Sequence, residues 1–434
     1  MKAPECPVAR HAAARPADAA LAFQGRRWSW RDLDEEVTAA EQHVRPGGRN
    51  VLVAHNTPET VFRLFAAARR RAWTVVIHPG LAAPEARARM AQSQVGAPAA
   101  GPAVVVFTSG TTGTPRGAIL STRALQASAA ASAQVLGTDA GSRWLCNLPL
   151  CHVGGLAMLW RVLHDGAFLE LHPRFDPRMT AAALQHDGIT HASLVGTTLL
   201  RLLDGTPVWQ HALRAVLVGG GPARPDVVTR ARAAGVPVRL TYGLTEGCSQ
   251  VTTQRAPRGL DAGLPLPGTT VRIVDDAGSP AATGGIELRG PTLFDGYLDD
   301  PRATAAAHHD GWLRTGDVGS LDAEGRLTVH CRRTDLVLRG GENVYPAEVE
   351  AVLLAHPAVQ DAAVLPEEHA RLGQVPVALV VAGADEAVLR AWCADRLARF
   401  KVPERFRFVA ALPRTALGKL DRAALRGLAG GPSG

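Results

Sequence analysis

The sequence predicts an α/β protein with largely parallel sheets, followed by a smaller α+β domain at its C-terminal end. Short apolar strands alternate with Ala-, Leu- and Arg-rich helices through the first 250 residues. Examples are "NVLVAH" (50–55) before "PETVFRLFAAARRR", and "LRAVLVGGG" (213–221) before "RPDVVTRARAAG". Such alternation is typical of parallel sheets joined by crossover helices. At 434 residues the chain is long enough for more than one domain.

The pattern changes twice in the second half of the chain. From about 262 to 331, short strands alternate with turns such as "DDAG" (275–278) and "DAEG" (322–325), which predicts a small β-barrel-like subdomain. From about 332 the helix "PAEVEAVLLAH", the strands "AAVLP" and "VPVALVVAG", and the helix "EAVLRAWCADRLARF" follow one another. We therefore expect an N-terminal domain over 1–331 and a C-terminal domain over 332–434.

The composition narrows the class of protein. Hydrophobic residues make up 46% and charged residues 20% of the chain, as in ordinary globular proteins. No 18-residue apolar run and no signal-peptide core are present, so we expect a cytoplasmic protein without membrane insertion. The six cysteines are scattered without a CxxC pair, which favours reduced thiols. The net charge of +7 is spread along the chain, so a nucleic-acid surface is not expected.

The segment "VVVFTSGTTGTPRGA" (104–118) places a loop rich in Gly, Ser and Thr between two apolar strands. Glycines let a ligand approach the backbone closely, and the freed N–H groups with nearby hydroxyls form a nest for phosphate. The loop is not a Walker A motif, because Pro115 stands five residues after Gly110 and no Lys-Ser/Thr pair follows. A flexible linker is the alternative, but apolar strands seldom flank a linker on both sides.

Three further segments carry side chains suited to a nucleotide. "TYGLTEGCSQ" (241–250) places an aromatic ring and a carboxylate after a predicted strand, where they could meet a base and Mg²⁺. "GWLRTGDVG" (311–319) sets Asp317 in a Gly-flanked turn, and "LPRTALGKLDR" (412–422) contains Lys419. Taken singly, each side chain could equally be a turn cap, a solvated carboxylate or a surface cation.

Together these motifs resemble the adenylate-forming superfamily of acyl-CoA ligases, peptide-synthetase adenylation domains and luciferases. The resemblance covers nearly the whole chain and is carried by "FTSGTTGTPRG", "YGLTE", "GWLRTGD", "GGENVYPAEVE" and "PRTALGK". It implies a large adenylate-forming domain with a small mobile lid domain. It also implies a two-step reaction, in which ATP and Mg²⁺ convert a carboxylic acid to an acyl-adenylate and a thiol, usually that of CoA, then displaces AMP.

The resemblance assigns a role to each matching residue. The groups that would bind ATP phosphates are Thr108, Ser109, Gly110, Thr111, Thr112, Gly113 and Arg116. The groups that would border adenine and ribose are Gly219, Gly220, Gly221, Tyr242, Gly243, Asp317 and Arg332. The groups implied in catalysis are Glu246 (the Mg²⁺ ligand), Thr245, His152 (a gate between acid pocket and CoA channel) and Lys419 (at the carboxylate and α-phosphate). Thr334 stands at the hinge position, and rotation there would bring Gly340 and Gly341 to the CoA channel.

Two positions depart from the family's pattern. Arg116 stands where lysine is usual, and Cys331 replaces the usual glycine before the hinge arginine. The chain has only three lysines (Lys2, Lys401 and Lys419) among 47 basic residues. The bias towards arginine explains Arg116, and it makes the retained Lys419 notable as a site that needs a compact charge.

The nature of the acid is the least determined feature. The chain is short, and its segment between residues 80 and 104 is reduced. Together with "LPLCHVGGLAMLWR" and "TYGLTEGCSQVTT", this makes the sequence similar to those of acid–CoA ligases that take an aromatic acid with a second carboxylate. The candidate partners for that carboxylate are Arg161, Thr197, Arg201 and Ser249. The alternatives are another acyl- or aryl-CoA ligase, a nucleotide-binding relative without activity, and a stand-alone peptide-synthetase module, which we rank last because no carrier domain follows residue 434. A homo-oligomer is possible.

Overall fold

The computed structural model describes residues 6–81, 86, 89, 101, 103–108, 115–205, 212–415 and 420–429. Within this part of the chain, the α-helices span α1 Pro7–Ala14, α2 Trp30–Ala40, α3 Pro58–Arg69, α4 Thr122–Leu136, α5 Val153–Asp165, α6 Pro177–His186, α7 Gly196–Asp204, α8 Pro225–Ala233, α9 Pro301–Ala307, α10 Pro346–Leu354, α11 Glu386–Ala394 and α12 Arg422–Ala429. Short 3₁₀ turns cover Glu41–His43, Thr245–Gly247, Arg333–Asp335 and Arg399–Lys401.

The strands of the first 250 residues alternate with these helices. They are β1 Ala19–Phe23, β2 Arg26–Ser29, β3 Arg49–Val53, β4 Trp73–Ile77, β5 Ala103–Thr108, β6 Arg116–Ser121, β7 Arg143–Cys146, β8 Phe168–Leu171, β9 His191–Val195, β10 Ala215–Gly219, β11 Val238–Leu244 and β12 Ser249–Thr253. The later strands are β13 Leu264–Pro265, β14 Thr270–Val274, β15 Thr283–Arg289, β16 Gly296–Tyr297, β17 His308–His309, β18 Trp312–Leu321, β19 Leu327–Arg332, β20 Val337–Arg339, β21 Glu342–Val344, β22 Val359–His369, β23 Gly373–Ala382 and β24 Arg405–Phe408.

Two largely parallel sheets form the body of the N-terminal part. The first has the order β13-β12-β11-β10-β9-β7-β8-β1-β2 and is parallel from β11 to β1, with antiparallel strands at both edges. The second has the order β16-β6-β5-β4-β3, in which β3, β4 and β5 are parallel. β4 is buried along its whole length, as expected for a strand covered on both faces. The predicted α/β class is confirmed.

The sequence predicted one small subdomain for the strands from about 262 to 331, whereas the structure divides these strands among three sheets. β14, β15, β17, β18 and β19 form one antiparallel sheet. However, β13 pairs with β12 and β16 pairs with β6, so these two strands complete the edges of the large sheets. The reason is that edge strands leave unpaired backbone groups, which a neighbouring segment of chain satisfies. Within the described residues, the segment from 262 to 331 is therefore tied into the N-terminal sheets rather than closed on itself.

The C-terminal residues build a separate mixed sheet with its own core. Its order is β21-β20-β23-β22, and β24 joins β23 in parallel. α10 and α11 cover one face around a cluster that includes Val349, Leu353 and Leu389. α12 packs on the other face through Leu425. Among the described residues, no helix is both long and apolar enough to cross a bilayer.

Candidate active site

A cavity of about 800 Å³ opens where the two parallel sheets meet. The carboxyl ends of four strands line it, through Thr108 on β5, Val195 on β9, Gly219 on β10 and Leu244 on β11. Thr415 reaches it from the C-terminal domain. Ligands of open α/β sheets bind at this edge of the strands, and the volume suits a small molecule.

The strand ends that flank the Gly/Ser/Thr-rich loop in the sequence lie at one wall of this cavity. β5 and β6 are antiparallel neighbours whose register ends at the pair Thr108 and Arg116, and both residues line the cavity. The Thr108 hydroxyl donates to the carbonyl of Arg116 at 3.4 Å. The paired ends of β5 and β6 therefore lie at the site. The other predicted phosphate-binding residues, Ser109, Gly110, Thr111, Thr112 and Gly113, lie outside the described residues.

Arg116 is held beside the cavity by two partners. Its guanidinium lies 3.4 Å from the carboxylate of Asp300 and 5.7 Å from the centre of the Tyr297 ring. These two partners restrain a long side chain at the edge of the cavity that Arg116 lines. Its position fits the predicted contact with phosphate, which remains a prediction.

Glu246 lies in the turn after β11 and lines the cavity together with Thr245. The hydroxyl of Tyr297 donates to Oε1 of Glu246 at 2.7 Å, and the Glu246 carbonyl accepts from the N–H of Phe294. These contacts leave the second carboxylate oxygen available. One carboxylate oxygen, completed by phosphate and water oxygens, is the donor set Mg²⁺ favours, so the residues present fit this ion.

Asp317, predicted to meet a ribose, is buried and is the centre of a hydrogen-bond network. Tyr242 donates to Oδ2 at 2.6 Å, and the Arg332 guanidinium lies 3.0 Å from Oδ1. Arg332 also donates to the carbonyl of Thr315 at 2.9 Å. Burial raises the pKa of Asp317, while the Arg332 charge opposes that rise. Burial, followed by the charge of Asp317, raises the pKa of Tyr242, so its phenol remains a donor.

The Tyr242 hydroxyl bond was not predicted. The sequence indicated only a ring that could stack on a base, and Tyr242 is not among the described residues that line the cavity. Its adenine contact remains a prediction. The observed contact joins β11 to β18 across 75 residues of chain, for which no local pattern exists.

The predicted adenine-binding glycines differ in position. Gly219, Gly220 and Gly243 line the cavity, whereas Gly221 is exposed and does not belong to its described lining. At Gly243 a Cβ atom would lie 1.6 Å from the carbonyl oxygen of Ser249. Only glycine allows β11 and β12 to approach this closely, at the point where their register shifts.

The acid-binding candidates separate into two pairs. Arg161 on α5 and Ser249 on β12 line the cavity, and an Arg161 N–H donates to the Ser249 hydroxyl at 3.4 Å. Arg201 is instead exposed on α7, with its guanidinium 5.1 Å from the Phe175 ring centre. Neither Arg201 nor Thr197 is among the described lining residues, so the cavity gives no support for these two candidates, and their contact with the acid stays a prediction.

Arg161 is the unusual member of this wall. Its side chain is 3% exposed, and its Nε has no hydrogen-bond partner among the described residues. Burial lowers its pKa to about 10, opposed by the charge of Asp165 one helical turn further on. No described carboxylate lies within ion-pair distance of it. A cation buried with so few partners is unfavourable unless an anion joins it.

His152, the predicted gate, caps the N-terminal end of α5 and lines the cavity beside Cys151 and His78. Cys151 is buried, and this burial raises its pKa to about 12. A thiol in that state is a poor nucleophile. The proximity of His78 was not predicted.

Among the described residues, the C-terminal domain contributes Thr415 to the cavity wall, and Arg332 at the domain boundary also lines it. Arg414 and Leu420 form an isolated antiparallel bridge, and Thr415 follows Arg414 in the chain. Lys419 lies outside the described residues. Gly340 and Gly341 form a two-residue hairpin turn with φ of +59° and +89°, which favours glycine, and they are exposed away from the described lining.

Thr334 lies in the short 3₁₀ turn between the two domains. Its carbonyl accepts a bond from Arg426 at 3.4 Å, and Arg426 is also paired with the buried Asp335 at 2.7 Å. The turn is thus attached to α12 of the C-terminal domain. It is the one segment of chain that joins β19 to β20.

Comparison with known proteins gives consistent matches along the chain. The model of the AMP-binding enzyme family matches residues 8–100 and 94–298, and that of the AMP-binding enzyme C-terminal domain matches 348–419. The 2-succinylbenzoate–CoA ligase of Bacillus licheniformis is 40% identical over 328 residues, which cover 74% of this chain and 69% of that protein. The structure is similar to o-succinylbenzoate CoA synthetase (MenE) from Bacillus subtilis.

Two solved states of that synthetase show the extent of this similarity. The complex with its acyl-adenylate intermediate has a TM-score of 0.88 and 31% identity, and covers 97% of this chain and 98% of that one. The complex with ATP and magnesium ion has a TM-score of 0.86 and 30% identity, and covers 97% of this chain and 99% of that one. The match thus includes both domains.

Proposed function

The chain belongs to the AMP-binding enzyme family, and from this premise we propose that it is an AMP-forming acid–CoA ligase acting on 2-succinylbenzoate. The acid would first react with ATP to give an acyl-adenylate and pyrophosphate. The thiol of CoA would then displace AMP to give 2-succinylbenzoyl-CoA. The relatives named 2-succinylbenzoate–CoA ligase support this reaction.

The observation that carries the choice of acid is the buried Arg161. 2-Succinylbenzoate has two carboxylates, of which one is activated and the other must be held. Arg161 supplies a buried positive charge to the cavity wall, next to the hydroxyl of Ser249. A carboxylate bound there would pair with a guanidinium that has no described ion-pair partner. A simple fatty acid would leave that charge uncompensated.

The remaining residues serve the nucleotide. Asp317 is held by Tyr242 and Arg332, and its carboxylate has lone pairs left to accept the ribose hydroxyls. Glu246 would hold Mg²⁺, which neutralises phosphate charge as pyrophosphate leaves. Arg116 and the loop after Thr108 would bind the phosphates. Lys419 would lie between the acid carboxylate and the α-phosphate, where two anions must approach each other.

One site must perform two reactions, and we propose that Thr334 is the hinge that allows this. In the present arrangement the loop containing Thr415 reaches the cavity, while the Gly340–Gly341 turn does not. This is the arrangement expected for adenylation. Rotation at the 3₁₀ turn would withdraw the loop and bring the glycine turn to the CoA channel. The bonds from Arg426 to this turn would rotate with the C-terminal domain.

An acid panel tests the proposed reaction. With Mg²⁺, ATP and CoA, 2-succinylbenzoate is expected to yield AMP, pyrophosphate and one CoA thioester in equal amounts. Benzoate and a long-chain fatty acid should react at least tenfold more slowly, because neither supplies the second carboxylate in the same place. Chromatographic quantification of all three products checks this. A fatty acid that reacts as fast as the aromatic diacid would refute the substrate.

Glu246→Gln is expected to weaken the apparent affinity for Mg²⁺ by about 10- to 100-fold, as loss of groups that organise a metal site commonly does. The amide keeps the shape and can still accept from Tyr297, but it lacks the negative charge. Titration of adenylation against Mg²⁺ measures the effect. Glu324→Gln, an exposed carboxylate paired with Arg326, is the matched control. Equal Mg²⁺ dependence in both variants would place the ion elsewhere.

A further inference from the structure

Three soft metal donors meet in the cavity wall. His78 follows β4, whereas Cys151 and His152 immediately precede α5. The ligand atoms of the three side chains all lie within 4.8 Å of one another, and each residue lines the cavity. The two imidazole rings have centroids 5.4 Å apart. Among the described residues, this is the one group of His, Cys, Asp or Glu side chains close enough to share an ion.

The chemistry of this set differs from that of the Mg²⁺ site. Two imidazole nitrogens and one thiolate sulfur favour Zn²⁺, whereas Mg²⁺ takes oxygen ligands. Zinc bonds of about 2.0–2.3 Å in a tetrahedron place the ligand atoms roughly 3.4–3.8 Å apart. The donors therefore need to close by about 1 Å, which rotation of the side chains can supply. Three protein ligands leave a fourth position, which faces the cavity.

One described hydrogen bond and one protonation state change when an ion enters. The N–H of Gly80 donates to Nδ1 of His78 at 2.9 Å, and a metal bond from this nitrogen would replace that contact. Because Gly80 is exposed, its N–H can turn to water. Cys151 must release its thiol proton to solvent, which zinc drives even where burial opposes ionisation. Binding should thus release one proton per ion.

We propose that His78, Cys151 and His152 form a zinc-binding site in the wall of the active-site cavity. The open ligand position points to the space that acid and thiol share, so the bound ion obstructs them and inhibits the ligase reversibly. The expected inhibition of the ligase reaction rests on the proposed function, whereas the expected binding of zinc does not. The site therefore gives the protein a response to zinc that is separate from its need for Mg²⁺.

Titration of the full chain with Co²⁺, without nucleotide, tests binding directly. Tetrahedral coordination with a thiolate is expected to give strong visible bands and a near-ultraviolet charge-transfer band at one equivalent. Cys151→Ser should lose the charge-transfer band, and His78→Gln should raise the dissociation constant at least tenfold. Cys331→Ser, a partly buried thiol at the end of β19, is the matched control and should retain the whole spectrum.

The proposed zinc site is refuted if the Co²⁺ spectrum of the wild type lacks a charge-transfer band, or if the band persists in Cys151→Ser. Circular dichroism checks that each variant is folded. If Cys151→Ser does not fold, the Co²⁺ dissociation constant of His78→Gln is the test, and an unchanged constant refutes the site. Addition of Zn²⁺ should displace Co²⁺ and abolish the bands. In the ligase assay, zinc should raise the apparent KM for the acid in the wild type but not in His78→Gln, and a chelator should reverse it.

Discussion

Lys419→Ala is expected to slow acyl-adenylate formation by about 10²- to 10³-fold, the usual loss when one preorganised group at a developing charge is removed. The lysine stands four residues after Thr415, which lines the cavity. Its compact cation would screen the carboxylate from the α-phosphate, a role that a planar guanidinium fills less well. Conversion of supplied acyl-adenylate and CoA to thioester should stay within a few-fold of wild type.

Two further variants test whether the loss of adenylation is specific to Lys419 and whether the two half-reactions need different domain positions. Lys401→Ala removes a lysine of the same domain that is paired with Glu348 at 2.7 Å, and it should leave both half-reactions nearly unchanged. Thr334→Pro fixes φ near −65°, a value that fits the observed 3₁₀ turn but resists rotation. It should form adenylate and stall before thioester. If Lys419→Ala and Thr334→Pro lose both half-reactions equally while folded, the two-position mechanism fails.

The second large effect concerns the acid. Arg161→Met should lower kcat/KM for 2-succinylbenzoate by about 10²- to 10³-fold, since loss of one partner of a buried ion pair costs roughly 3–5 kcal/mol. Methionine keeps most of the volume, so the cavity wall remains packed. For 3-benzoylpropionate, which lacks the ring carboxylate, the same change should cost less than about tenfold. Steady-state kinetics on both acids separates lost charge from lost packing.

Arg201→Met is the matched control for this prediction. Arg201 also follows a strand of the large sheet, but it is exposed and contacts Phe175. Its replacement should leave kcat/KM for both acids unchanged. If Arg161→Met affects the two acids equally, then Arg161 supports the wall and another group holds the second carboxylate.

The same two arginines show what the sequence could and could not predict. Both were candidates because each lies on a segment expected near the pocket. Which one faces inward depends on how α5 and α7 pack against the sheet, and α5 buries Arg161 while α7 leaves Arg201 in solvent. Local pattern does not encode that difference, because it arises from contacts between distant parts of the chain.

The nucleotide site was more predictable, because its residues follow strand ends. Thr108 and Arg116 flank the predicted loop, Gly219 ends β10, and Glu246 lies in the turn after β11, where the carboxyl ends of the strands meet at the cavity. In a parallel sheet the carboxyl ends of the strands lie at the same edge. The motifs and the fold class together are therefore sufficient to predict which of these residues lie near one another. The phenol of Tyr242 on Asp317 and the approach of His78 to His152 join separate sheets or loops, and no spacing rule predicts them.

The most direct test of the central claim follows one oxygen atom. 2-Succinylbenzoate labelled with ¹⁸O in both carboxylates is incubated with Mg²⁺, ATP, CoA and the protein, and the products are analysed by mass spectrometry. Attack of the carboxylate on the α-phosphate, followed by thiolysis, leaves one ¹⁸O in AMP, none in pyrophosphate, and one fewer in the thioester than in the acid. Unlabelled AMP, or label in a released phosphate, would contradict the proposed reaction.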